Sequence, residues 1–145
     1  MKIKVHYDQK LARDELQIAA FEPSRTLDHI IDFAQKELFY LIGLKEKEKV
    51  RIDLKDIQRI YSANKQVFCM VNGQEYQLLE RLYQLQEKLP NSFVQISRTE
   101  MIQIQAVNKF TITRSGIIEI IFKDGQKTSA SRRYLKKVKE VLEHA

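Results

Sequence analysis

A chain of 145 residues with 43% hydrophobic side chains can build one ordinary core with at most a small extension, which excludes a disordered chain or a large assembly of domains. A single cysteine, Cys69, excludes an internal disulfide framework and fits a reducing compartment, and no apolar run approaches the roughly 18 residues needed to span a bilayer. The net charge of +6 is unevenly spread, because residues 91–145 hold ten basic and five acidic side chains whereas residues 1–45 hold seven of each. That asymmetry points to a polyanion as partner, nucleic acid before an anionic membrane, with a merely solubilising surface as the plain alternative.

In chain order, Ile3, Val5 and Tyr7 alternate with Lys2, Lys4 and His6, which predicts a half-buried strand. The same opening, MKIKVHYD, lacks the apolar block of a signal peptide, so a cytoplasmic protein is expected. Leu16, Ile18 and Ala20 predict a second strand, and Pro23 in EPSRT ends it. Thr26 is the expected N-cap of a helix with apolar positions at Leu27, Ile30, Ile31, Ala34, Leu38 and Leu41, closed by Gly43. Residues 1–44 thus read as a β-β-α segment too small to be stable alone, available for a dimer or partner contact. Asp8 and Asp14 read as surface charges near strand ends.

KEKEK at 45–49 reads as a solvated connector, with a second unit over 50–145. Val50, Ile52 and Leu54 recur at period two, and KQVFCMVNGQEYQL is a hairpin around Asn72-Gly73. Leu78, Leu79, Leu82, Leu85 and Leu89 predict a helix stopped at Pro90. FVQISRTEMIQI reads as two short strands meeting near Arg98. Phe110 and Ile112 alternate before Ser115-Gly116, and Ile118, Ile120 and Phe122 alternate before Asp124-Gly125. A last helix opens at Ser131 as N-cap. The class is α+β, mostly short antiparallel strands with flanking helices, and not the βαβ alternation of a doubly wound nucleotide-binding fold.

Catalytic signatures are missing. No Gly-rich phosphate loop occurs, and His6, His29 and His144 are too scattered to suggest zinc spacing with the lone cysteine. Nothing marks a nucleophile, so a binding protein without cofactor or metal is expected rather than an enzyme.

The segment SRRYLKKVKEVL carries five cations from Arg132 to Lys139 and no acid before Glu140. On a helical wheel Tyr134, Leu135, Val138, Val141 and Leu142 share one face, while Arg132, Arg133, Lys136 and Lys137 lie mostly opposite. Most such faces are simply solvated. Here neutralising acids at helical spacing are nearly absent, and two arginines occupy the first turn, where the helix dipole disfavours cations. Lys136, Lys137 and Lys139 suit phosphate contacts, which set register without reading bases, and Tyr134 reads as core or rim.

FVQISRTEMIQIQAVNKF followed by GIIEIIFKDGQKTSASRRYLKKVKEVL resembles the LytTR family of bacterial DNA-binding domains, whose pattern has a RIHRS turn, a KNG hairpin and a closing SRRYLKELK. QISRT, KDG and SRRYLKKVK stand for those three elements here, and the resemblance covers about residues 50 to 145. The N-terminal part resembles stand-alone members that carry no receiver domain. The resemblance implies an elongated LytTR-like β arrangement whose loops enter successive major grooves, with dimers on paired direct repeats bending the DNA. It implies contacts from the turn at Asn64 and Lys65, the turn at Arg98 and the helix start at Arg133. It also implies an inhibitory membrane protein as a partner of the stand-alone members. Two departures stand out: Ser97 replaces the family's histidine, and Glu100 follows where an aromatic is usual.

The expectation is therefore sequence-specific binding of double-stranded DNA by a bacterial transcriptional regulator, with Arg98 and Arg133 reading base edges and Asn64, Lys65, Arg132, Lys136 and Lys137 beside them. Arg98 has a local alternative as a turn residue paired with Glu100, and Arg132 as a solvated neighbour. The alternative of another class is a protein-interaction module whose basic face binds an acidic partner or an anionic membrane surface. RNA binding ranks lower, because the aromatic residues fall on apolar periods rather than on an exposed stacking surface.

Overall fold

The computed structural model of the chain describes residues 1–13, 15–38 and 40–144. Helix α1 (Arg25–Leu38) leads into strands β1 (Tyr40–Lys45) and β2 (Glu48–Asp53), a 3-10 turn (Leu54–Asp56), then β3 (Arg59–Ala63), β4 (Gln66–Val71) and β5 (Gln74–Leu78). Helix α2 (Leu82–Lys88) precedes β6 (Phe93–Ser97), β7 (Glu100–Gln103) and a 3-10 turn (Ile104–Ala106). Strands β8 (Val107–Ile112), β9 (Ile118–Phe122) and β10 (Lys127–Ala130) follow, then a third 3-10 turn (Arg132–Tyr134) and helix α3 (Leu135–Glu143). The α+β class with antiparallel strands is as the sequence predicts.

Two-residue turns organise the first sheet. Asn72-Gly73 joins β4 to β5 with φ of 50° and 78°, the left-handed pair that a tight hairpin demands. Asn64-Lys65 joins β3 to β4 with φ of 52° and 64°, and Glu46-Lys47 joins β1 to β2 with φ of 51° and 71°. The KEKEK run, expected as a connector, is thus a hairpin tip. Its charges face solvent while Leu41 pairs with Ile52 and Gly43 with Val50. Gly43 does not cap a helix either. It lies inside β1, where a Cβ would displace Ile52 Cδ1 of β2 and sit 3.2 Å from Tyr76 Cβ of β5, so the crowding between these neighbours favours glycine. Leu41 fits helical and strand periods alike, and pairing with β2 decides for strand from Tyr40 onward.

The seven-stranded sheet runs β2-β1-β5-β4-β3-β7-β6, and a second sheet runs β10-β9-β8. Strands β6 and β7 are buried on both faces, which explains their nearly continuous apolar sequence. Phe93 and Met101 join one core with Leu41, Ile52, Ile60, Cys69, Leu78, the α2 residue Leu85 and Leu89 at the end of that helix. Val94, Ile96 and Ile102 join a second core with Ile118, Ile120, Phe122, Ala130, Val138 and Leu142. Each fully buried aliphatic contributes roughly 1.5–3 kcal/mol. Burial pushes the Cys69 thiol up to about 12, the environment of an inert core residue. The side-chain amide of Gln103 donates to the carbonyls of Leu54 at 2.8 Å and Ile57 at 2.9 Å, tying the first 3-10 turn to β7.

Other expectations change with tertiary context. The helix predicted from Leu78 starts at Leu82, because Leu78 pairs with Val67 and Gly43 as the end of β5. Ser24, not Thr26, caps α1, its hydroxyl accepting the Leu27 N–H at 3.1 Å. The strands predicted at residues 3–7 and 16–20 do not form: an alternating segment becomes a strand only when an edge lies opposite, and here none does. Among the described residues, no side chain before Leu41 is buried. Asp14 lies outside the described residues, as does the side chain of Leu38.

Candidate nucleic-acid interface

Lys65 and Asn64 form the exposed tip of the β3–β4 hairpin, both in the left-handed region. Strand β3 runs antiparallel to β7, and just past that ladder the Ser62 N–H donates to the Thr99 carbonyl at 2.8 Å. This bond sets the tip beside the β6–β7 turn that carries Arg98. Within that turn Ser97 Oγ accepts the Thr99 N–H at 3.2 Å, the local role of the residue that replaces histidine. On the far side of β6 the Ser131 N–H donates to the Ile96 carbonyl at 2.9 Å. That bond holds Arg132 and Arg133 next to the same end of β6.

The three segments named from sequence, at 64–65, 98 and 131–133, therefore converge although up to 69 positions separate them. The start of α3 differs from expectation. Ser131 makes no side-chain cap, and its carbonyl accepts the Tyr134 N–H at 3.0 Å to open a 3-10 turn before α3. Arg132 and Arg133 thus precede the α-helix proper, which eases the dipole penalty, and their consecutive places on a 3-10 turn point them apart. Lys136 and Lys137 continue along the exposed face of α3, while Val138 and Leu142 are buried and Tyr134 and Leu135 are half-buried.

A fourth loop joins this end. The start of β9 pairs with the end of β10, Ile118 opposite Ala130, so the turn at 113–117 lies beside Ser131. A Cβ on Gly116 would lie 3.8 Å from Leu135 Cδ2, in van der Waals contact with α3. This turn exposes Arg114, which the sequence reading did not select. The available signal was a cation placed immediately before a Ser-Gly turn in the strongest alternating segment.

Lys65, Arg98, Arg114, Arg132, Arg133, Lys136 and Lys137 are all exposed, and among the described residues none of them makes an ion pair. Arg98 does not pair with Glu100. The Glu100 carboxylate, 15% exposed, instead receives Arg59 Nη1 at 3.3 Å and Thr128 Oγ1 at 3.0 Å. Burial pushes the Glu100 carboxyl above its usual range, while Arg59 and Thr128 pull in the opposite direction. The Arg59 guanidinium also lies 4.7 Å from the Tyr61 ring centre. Arg59, Glu100 and Thr128 belong to β3, β7 and β10, so this half-buried contact ties together the strands that carry the loops. Its acid is thus engaged within the fold by Arg59 and Thr128.

The other end of the molecule has a different character. The turns at 46–47 and 72–73 share that end, since Lys45 Nζ donates to Gln74 Oε1 at 2.7 Å. Strand β4, six residues long, separates it from Asn64-Lys65 by roughly 17 Å. There a groove of about 420 Å³ is lined by Asp28, Asp32, Ser92, Ile104 and His144, acids included, and does not suit a polyanion.

Comparison with known proteins adds an independent line. The model of the LytTr DNA-binding domain family matches residues 47–143. An uncharacterised HTH-type transcriptional regulator of Staphylococcus aureus strain NCTC 8325 / PS 47 is 35% identical over 102 residues, which is 70% of this chain and 69% of that one. A protein of the same description from strain MRSA252 is 34% identical over 102 residues, with the same coverage of 70% and 69%. A LytTr DNA-binding domain from Bacillus cereus superposes with a TM-score of 0.68 over 71% of this chain and 95% of that structure. At 10% identity that likeness shows the fold alone.

Proposed function

Because this chain belongs to the LytTR family of DNA-binding domains, we propose that it is a bacterial transcriptional regulator that binds double-stranded DNA sequence-specifically, as a dimer on paired direct repeats in the cytoplasm. The convergence of the Asn64-Lys65, Arg98 and Arg132-Arg133 loops at one end, with exposed cations that make no ion pair among the described residues, is the observation that supports this reading most. The helix-turn-helix in the relatives' printed description has no counterpart among the described residues. Helix α1 leads to β1, and five strands separate α2 from α3. Hairpin tips and one helix start are therefore the groups offered to the grooves.

In this reading Arg98 and Arg133 supply planar guanidinium forks that pair with the guanine edge in the major groove. Asn64 and Lys65 reach a neighbouring groove or its phosphates, and Arg132 lies on the backbone beside Arg133. Lys136 and Lys137 neutralise phosphates and release counterions, so they contribute affinity and salt dependence without sequence preference. A membrane protein that restrains the regulator is proposed as a second partner, with no residue assigned to it.

Selection of bound sites from a random duplex pool tests the reading directly, since it reports sequence, repeat spacing and dimer geometry together. Arg133→Ala is then measured against the ranked sites. It should flatten the preference at one base pair by about 1–3 kcal/mol. An unchanged ranking would remove Arg133 from base reading, and a pool that yields no enriched sequence would overturn the specific-binding proposal.

A further inference from the structure

The first 38 residues carry an apolar surface that this chain does not cover. Ile3, Val5, Leu16, Ile18, Ile30 and Phe33 are exposed, and Tyr7 and Phe21 stand 96% and 100% open. Alternation over residues 2–7 and 15–20 has the period of a strand. Yet among the described residues the main-chain hydrogen bonds ahead of α1 are local to the intervening turns, Leu11 N–H to Asp8 O, Lys10 N–H to Asp8 Oδ1 and Glu15 N–H to Ala12 O, and none forms a ladder. Side chains patterned for burial and main-chain groups patterned for a ladder are thus left together in water.

We propose that this segment is a self-association arm whose occupant is a second copy of the chain. In the dimer, the extended segment 2–7 of one copy lies along segment 15–20 of the other, and the Phe33 face of α1 closes over both. Area supports a stable contact: covering these eight side chains in two copies removes on the order of 2,000 Å² from water, above the roughly 1,600 Å² of a standard interface. Charge supports a second copy over a foreign polyanion or a basic partner. Lys2 and Lys4 lie on the first segment without an acid between them, whereas Glu15 and Glu22 flank the second without a base between them. Each copy therefore offers one basic and one acidic segment, which complement each other when two copies pair reciprocally about a two-fold axis local to the arms. The arm also leaves the basic loops free, since α1 borders the acidic groove near Ser92, at the end of β6 away from Ser97.

The test uses the full chain without DNA, so it stands apart from the DNA-binding reading, on which only the biological use of the dimer rests. The molar mass is measured by light scattering from low to high micromolar concentration. The native chain should be a dimer, and Val5→Asp with Ile18→Asp a monomer that still unfolds cooperatively, with a midpoint that no longer rises with protein concentration, because both positions are exposed in the single copy. The decisive measurement is a charge exchange. A chain with Lys2→Glu and Lys4→Glu and a chain with Glu15→Lys and Glu22→Lys should each dimerise poorly and form a mixed dimer when combined. A native chain that stays monomeric at high micromolar concentration overturns the proposal and leaves the arm to another partner. Dimers that survive the aspartates, or charge variants that show no preference for each other, also overturn it. A monomeric native chain that still binds selected DNA sinks only the arm, whereas a dimer that binds no DNA sinks only the regulator.

Discussion

Removing Lys136 and Lys137 together should change how DNA affinity responds to salt far more than removing Lys47 and Lys49. All four lysines are exposed, and net charge changes equally in the two double-alanine variants. Position differs: Lys136 and Lys137 extend from the arginine loops along α3, whereas Lys47 and Lys49 sit at the hairpin end that shares Gln74, across the length of β4. Each phosphate neutralised contributes about 0.9 to the slope of log affinity against log salt, so losing two should flatten the slope by about 1.8. Between 50 and 200 mM salt, one contact corresponds to roughly 3.5-fold in affinity and two to roughly 12-fold, by that slope. The Lys136→Ala, Lys137→Ala variant should therefore bind more weakly at low salt and lose about 12-fold less affinity over that range than the native chain. The Lys47→Ala, Lys49→Ala variant should keep the native slope, because a charge beyond a Debye length of the duplex is screened. Fluorescence anisotropy of a labelled selected duplex, titrated at several salt concentrations, measures both slopes. Equal flattening by the two variants would refute the placement of the interface and leave only a general effect of net charge.

Three further outcomes follow from particular contacts. Lys65→Gly relieves a left-handed residue at a hairpin tip and should raise stability by about 1 kcal/mol while weakening DNA binding, whereas Lys47→Gly should raise stability with binding unchanged; urea unfolding beside anisotropy separates the two. Glu100 holds its proton above the ordinary value of 4.5, so just above that pH the folded state binds more protons than the unfolded, and stability falls as pH rises through this window. Glu100→Gln should remove that fall, and an unfolding midpoint that drops as steeply in the variant would show that another group titrates. Gln103→Leu should cost about 2–3 kcal/mol, because the Ile57 carbonyl and the Ser92 hydroxyl lose their bonds to the amide while the Leu54 carbonyl keeps the Ile57 N–H; a loss under about 1 kcal/mol would mean that these groups are solvated instead.

Local pattern carried much of the fold. Hairpin β4–β5 was legible because Asn-Gly encodes a turn within two residues, and β9 and the apolar face of α3 because alternation and helical spacing are short-range signals. Legibility failed where one pattern served two structures. Leu41 fits a helix as well as a strand, and the charges of KEKEK suit a connector as well as a hairpin tip. At Ile3, Val5 and Tyr7 the strand pattern was present and the pairing edge was not, so the local signal was sound and the structure still absent.

The candidate site divides in the same way. Sequence by itself determined that the cations gather in the last third of the chain, that Arg98 lies in a turn and Arg133 at a helix start, and that no acid balances Arg132 to Lys139. Only tertiary structure decided that Asn64, Arg98, Arg114 and Arg133 share one end of the molecule and that Glu100 turns to Arg59 instead of Arg98. Charge and turn chemistry are properties of neighbours along the chain. Which loops meet depends on the β3–β7 ladder and on single main-chain bonds such as Ser131 to Ile96, made between residues that the sequence holds far apart.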